Sequence, residues 1–183
     1  MRHINGIIFS CFISILFFLC SCEKDIEPIP IVIPEEIDSS IVTQNGLLTV
    51  SGSKIVNKNN NAVSFAGNSF FWSNDNWGGE RFYNASTVKW LKTDWNSKIV
   101  RAAMGVEDPG GYLDNKQANK SRMKIIVEAA IEEGIYVIID WHSHHAEDHL
   151  EEAILFFQEM AQTYGETENV IYEIYNEPLD VSW

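Results

Sequence analysis

The stretch Met123-Lys124-Ile125-Ile126-Val127-Glu128-Ala129-Ala130-Ile131-Glu132-Glu133-Gly134-Ile135-Tyr136-Val137-Ile138-Ile139-Asp140 holds a helix and a strand back to back. Met123, Ile126, Val127, Ala130 and Ile131 fall at i, i+3, i+4, i+7 and i+8, one apolar face of a helix. Gly134 follows as the helix-ending residue. Tyr136–Asp140 is then an apolar run without polar alternation, as a strand covered on both faces requires. Such runs recur at Val63–Gly67, Ile99–Ala103 and Val170–Tyr175, and successive starts lie 36, 37 and 34 residues apart. Leu150, Ile154, Phe157, Ala161 and Tyr164 predict a second helical stripe, closed by Gly165. Ser86 is placed to cap a shorter helix through Trp90 and Leu91. Strands alternating with amphipathic helices imply a parallel sheet covered by helices.

A Rossmann sheet and a β/α barrel both fit this rhythm. No Gly-x-Gly-x-x-Gly follows the first run, so the dinucleotide fold loses ground. Ahead of the first run, Leu47–Val50 and Lys54–Val56 flank a Ser-Gly-Ser turn and read as a small hairpin. A complete eight-stranded barrel takes about 250 residues. Only 121 residues run from Val63 to the end, with four strands among them. The expected architecture is a (β/α)8 (TIM) barrel of which residues 44–183 carry the first four strands.

The amino terminus has a different character. Arg2 and His3 precede an almost unbroken apolar run from Ile7 to Leu19, too short for a comfortable membrane span. Leu19-Cys20-Ser21-Cys22 then resembles a bacterial lipobox. Residues 1–21 are therefore expected to be a lipoprotein signal peptide. Cys22 is the expected lipidation site and membrane anchor on the exported side; an ordinary secretory peptide is the alternative. Residues 22–43, with Pro28, Pro30 and Pro34 and the acids Glu23, Asp25 and Glu27, read as a solvated tether. The three cysteines, 11, 20 and 22, all lie ahead of the expected folded body, which leaves that body no disulfide and no thiolate metal site.

Composition narrows the function. Lys and Arg number 13 against 26 Asp and Glu, a formal charge of −13. Nucleic acid binding needs a basic surface and is not expected. An anionic polysaccharide is disfavoured by like charge, whereas a neutral substrate is unaffected.

Polar residues gather where the apolar runs end. Arg101 lies in the second run, Trp141 and His142 follow the third, and Asn176-Glu177-Pro178 follows the fourth. In β/α barrels the carboxyl ends of the strands form the catalytic face. A carboxylic acid there, beside an Arg and a His, suits acid/base chemistry. Glu173, inside the fourth run, reads as a core residue or a partner of the site.

Ile171-Tyr172-Glu173-Ile174-Tyr175-Asn176-Glu177-Pro178 resembles the fourth-strand signature of glycoside hydrolase family 5. Val100-Arg101-Ala102-Ala103-Met104 and Tyr136-Val137-Ile138-Ile139-Asp140-Trp141-His142 resemble its second and third strands. The subgroup most resembled is the bacterial endo-β-1,4-glucanases, or cellulases. The resemblance implies retaining cleavage of β-glucan, with Glu177 as acid/base and no cofactor. Asn176 would bond the sugar 2-hydroxyl, Arg101 would orient the nucleophile carboxylate, and His142 would bond within the same site. The family's nucleophile is a Glu after the seventh strand, so these residues alone are expected to be inactive. Trp72, Trp77 and Trp141 are the candidate substrate contacts, because aromatic faces stack on sugars. Trp90 and Trp95 are expected in the core. Gly105 departs from the family, which often has Tyr there.

Two other readings stand beside this one. The protein is a carbohydrate-binding surface lipoprotein without turnover, or a metal-dependent hydrolase using His142, His144, His145 and His149. The second needs further ligands from other strands, and the fourth strand offers Asn-Glu-Pro instead. No metal is expected, and His144, His145 and His149 read as solvated loop residues.

Overall fold

The computed structural model describes residues 39–179. The expected signal peptide, Cys22 and most of the tether lie outside the described residues. The folded unit begins ahead of the expected boundary at residue 44. Helix α1 (Ile41–Asn45) is capped by Ser40, whose Oγ accepts from Thr43 N at 3.1 Å, and it buries Val42.

The hairpin is present as β1 (Thr49–Ser51) and β2 (Lys54–Val56), paired antiparallel. A four-stranded sheet follows, in the order β3 (Gly67–Ser69), β4 (Ile99–Gly105), β5 (Tyr136–His142), β6 (Val170–Glu173). All its pairs are parallel. The crossover helices are α2 (Ala85–Trp95), α3 (Lys116–Glu132) and α4 (Leu150–Tyr164). Two short 3-10 turns, Glu80–Phe82 and Ala146–His149, interrupt the loops at the carboxyl ends of β3 and β5.

Alternation along the strands sorts the two faces. Val100, Ala102 and Met104 of β4 and Val137, Ile139 and Trp141 of β5 join the core with Val88, Leu91, Met123, Ile126, Val127, Phe156 and Met160 from the helices. Burying each large side chain of this set is worth about 1.5–3 kcal/mol. The intervening residues, among them Arg101, Asp140 and His142, belong to the opposite face. The helix pattern therefore selects which strand residues are free for chemistry.

Several local expectations need correction. The first strand starts at Gly67, not Val63. Val63 N bonds Ile55 O at 3.0 Å and Ala62 bridges Val56, so this segment extends the hairpin. Pairing with β4 begins where the chain can approach: a Cβ on Gly67 would lie 1.8 Å from Ile99 O. Asn84, not Ser86, caps α2, its Oδ1 accepting from Thr87 N at 2.9 Å. The fourth strand ends at Glu173, two residues early. On α4 the buried stripe is Phe156, Met160 and Tyr164, with Leu150, Ile154 and Ala161 exposed. Trp90 and Trp95 are exposed on α2, their rings edge to face at 5.7 Å. Val88 and Leu91 set the buried face of α2, and Trp90 lies about 200° round the helix from Val88.

Candidate active site

Parallel register brings the polar residues to one end of the sheet. Asp140 pairs with Glu173 across β5 and β6, and with Ala103 across β4 and β5. Arg101 reaches across from the same face of β4. Its Nε and Nη2 donate to the two oxygens of Glu173 at 2.7 and 2.8 Å, a bidentate fork. Nη2 also lies 2.8 Å from Asp140 Oδ2 and donates to Asn176 Oδ1 at 2.8 Å. Nη1 makes one long contact, 3.4 Å to Ser69 Oγ. A charge in so apolar a strand needs partners, and Arg101 has two carboxylates. The bonds from Glu173 raise the Arg101 pKa above its ordinary value. Burial pushes the Asp140 carboxyl up, against the opposing pull of His142 and Arg101.

His142 Nδ1 lies 2.6 Å from Asp140 Oδ2. On its other side the imidazole meets the edge of Trp72, with ring centroids 4.4 Å apart at 80°. Trp72 in turn stacks on Trp77 at 5.3 Å and 16°, and Trp77 is exposed. The long loop carrying both is held to the sheet. Phe70 N and Ser73 N bond Arg101 O and Ala103 O, continuing the parallel ladder past β3. Tyr83 Oη lies 2.8 Å from both Phe71 O and Ala103 O, which share its one hydrogen. Arg122 Nη1 donates to Ser73 O at 2.8 Å, and Arg122 pairs with Asp75, which lowers the Asp75 pKa.

Asn176 is buried at the end of β6. Arginine only donates, so the oxygen of the Asn176 amide must face Arg101. Nδ2 then points away, and it is buried with no hydrogen-bond partner. Glu177 has φ +46° and an exposed side chain, 76% accessible. Its Oε2 lies 3.3 Å from His144 Nε2.

The structure thus brings Arg101, His142, Asn176 and Glu177 to one end of the sheet, with Trp72 beside His142 and Trp77 stacked on Trp72. Trp141 does not join them. It is 0% exposed and packs among Tyr112, Phe156 and Phe157 at centroid distances of 5.3, 5.5 and 6.2 Å. Its expected role as a substrate contact is corrected: a ring so enclosed has no face for a sugar. Alternation from His142 already placed it on the helix side. His144 is also more than a solvated loop residue. Glu107 accepts from its backbone N at 3.1 Å, and its ring reaches Glu177. Of the histidines weighed as metal ligands, only His145 belongs, among the described residues, to a group of three potential ligands within 4.8 Å of one another, with Glu147 and Asp148 at the exposed surface. Asp140 was not singled out from sequence, although its i, i+2 spacing to His142 marks one strand face. The departure at Gly105 has a structural counterpart. A Cβ there would lie 1.8 Å from Asn74 Oδ1, and Asn74 Nδ2 donates to Asp108 O and Pro109 O at 3.1 Å each.

A parallel sheet with helical crossovers and a polar cluster at its carboxyl end is a β/α arrangement. The family model for cellulase (glycosyl hydrolase family 5) matches residues 56–183. The chain belongs to glycosyl hydrolase family 5, and its described residues carry four strands of that family's (β/α)8 barrel. It is 60% identical over 136 residues to Endoglucanase Z of Dickeya dadantii, covering 74% of this chain and 32% of that protein. An endoglucanase of Clostridium saccharobutylicum is 38% identical over 147 residues, covering 77% of this chain and 31% of its own. The chain thus spans about a third of the length of these relatives. Among solved structures, a protein of Cytophaga hutchinsonii is 48% identical with a TM-score of 0.75, over 79% of this chain and 46% of that one. The endoglucanase Cel5A catalytic domain of Thermobifida fusca is 32% identical with a TM-score of 0.73, over 79% of this chain and 47% of that domain. A substituted form of that domain was solved in complex with cellotetraose.

Proposed function

We propose that these residues are part of a retaining endo-β-1,4-glucanase acting on cellulose or a related neutral β-glucan. The observation that carries this is Asn176: its amide is oriented by Arg101, and its buried Nδ2 is left unpaired next to Glu177. An unpaired buried donor is costly to keep, about 1–3 kcal/mol, unless a ligand meets it. A sugar 2-hydroxyl would do so, in a contact that strengthens toward the oxocarbenium-like transition state. In the first step Glu177 gives its proton to the glycosidic oxygen as the C1–O bond breaks. A carboxylate on a strand beyond those described takes C1, about 5–5.5 Å across from Glu177, and forms the glycosyl ester. In the second step Glu177 takes a proton from water, whose oxygen displaces the ester. Arg101 Nη1, with its single long contact, is the prong open to that second carboxylate. Trp72 and Trp77 supply the aromatic wall.

The test is Glu177→Gln in the full-length protein. Hydrolysis of unactivated β-1,4-glucan should fall at least about 10³-fold, while substrates with good leaving groups lose less in their first step. Turnover of cellulose within a few-fold of wild type would remove the assignment. We also propose that Cys22 is lipidated and anchors the protein on the exported side of a membrane. Cys22→Ala should release the protein or leave it unprocessed, and a wild-type protein that takes up no lipid label would count against the anchor.

A further inference from the structure

We infer that Asp140 is a positioning residue that locks His142 in the Nδ1-protonated tautomer and so presents Nε2 to the site as a hydrogen-bond acceptor. The inference deepens the hydrolase reading and rests on it for what Nε2 meets. Asp140 is fully buried, and its Oδ2 has two neighbours: Arg101 Nη2 at 2.8 Å and His142 Nδ1 at 2.6 Å. The guanidinium charge paired with Oδ2 disfavours a proton on that oxygen. A proton on the carboxyl group would have to sit on Oδ1, which is buried with no partner of its own. Oδ2, paired with a cation, therefore faces His142 as an acceptor, and His142 Nδ1 must carry the hydrogen. In the neutral ring the lone pair is then on Nε2. Trp72 closes against the imidazole edge-on, so the ring is held between an indole and a carboxylate. An acceptor at Nε2 selects a donor from the substrate, which on a neutral glycan is a hydroxyl.

The same carboxylate ties two site residues together. Arg101 and His142 share one oxygen, so the arginine fork that orients Asn176 and the tautomer of His142 are set by one group on β5. Replacing Asp140 by Asn keeps an acceptor at that place, because the amide oxygen must face Arg101. Replacing it by Ala removes the acceptor and leaves the tautomer to the ring's own preference.

The experiment is long-range proton–nitrogen NMR on the full-length protein labelled at histidine, without substrate, at a pH where the ring is neutral. His142→Gln assigns the signal among the histidines. Wild type and Asp140→Asn should show Nδ1 protonated and Nε2 bare, and Asp140→Ala should lose that state. Turnover of soluble β-glucan should fall about 100-fold in Asp140→Ala and stay within about 10-fold in Asp140→Asn, with kcat carrying the loss. A merely structural Asp140 would lower the melting temperature of both variants without moving the tautomer. An Nε2-protonated His142 in wild type, or an Nδ1-protonated ring that survives Asp140→Ala, overturns the inference. If Asp140→Ala does not fold, the wild-type spectrum still decides. A protein with the Nδ1-protonated ring and no turnover would sink the hydrolase reading and leave the tautomer lock standing.

Discussion

At the carboxyl end of β4, β5 and β6, charged side chains bond one another: Arg101 with Glu173 and Asp140, and Asp140 with His142. At the amino end, three polar side chains on or beside the strands bond backbone or neutral partners instead. Tyr136 Oη donates to Gly46 O at 2.7 Å, Asn169 Nδ2 to Ile135 O at 2.8 Å, and Ser97 Oγ to Asn68 Oδ1 at 2.6 Å. Phe65 packs on the Tyr136 ring at 5.1 Å, and burial raises the Tyr136 hydroxyl to about 12. The amino end is satisfied by the fold itself. The carboxyl end keeps an unpaired amide at Asn176 and an exposed acid at Glu177. Satisfied groups stabilise; groups left open serve a ligand. A change at the amino end should therefore move stability alone, and one at the carboxyl end should move both.

The most severe break is Arg101→Ala. It leaves Asp140 buried and Glu173 half-buried without their cation, and should lower unfolding free energy by about 3–5 kcal/mol. Turnover should vanish as well, because Asn176 loses its donor and Asp140 its cation. Urea titration reads the first and β-glucan hydrolysis the second; a fully active variant would show that the network is structural only. Next is Trp141→Phe, one residue from His142 but on the helix side. It should lower stability by about 1–3 kcal/mol, as a large-to-small core change, and leave KM for glucan unchanged. A raised KM would return Trp141 to the substrate side. The smallest is Tyr136→Phe, which loses one hydrogen bond to Gly46 and about 1 kcal/mol, with kcat and KM intact. Reduced turnover here would mean that the two ends of the sheet are coupled.

This contrast also explains what a reader of the sequence can and cannot see. The starts of β4, β5 and β6 at Ile99, Tyr136 and Val170 are legible, because continuous apolar runs between helical stripes have few other uses. The first strand is not. Val63-Ser64-Phe65-Ala66 looks like one, but the residues that cover the amino end of the sheet are as apolar as a strand interior. Which role they take depends on the hairpin they bond. On α4, two apolar stripes compete, and only the packing of Trp141 against Phe156 decides for Phe156 and Met160. Arg101, His142, Asn176 and Glu177 are legible as polar intrusions at strand ends. Asp140 and the orientation of the Asn176 amide depend on cross-strand register, a relation between segments that no single segment carries.

Gly105 ends β4 and Asn74 sits in the loop after β3, yet they share one volume: the amide of one fills the space the other leaves empty. Any side chain arriving at 105 must evict Asn74 from its two carbonyl partners, and any larger residue at 74 needs 105 to remain bare. The two positions therefore form a single packing choice. A side chain at 105 can be seated only where 74 first gives up the space its amide now fills.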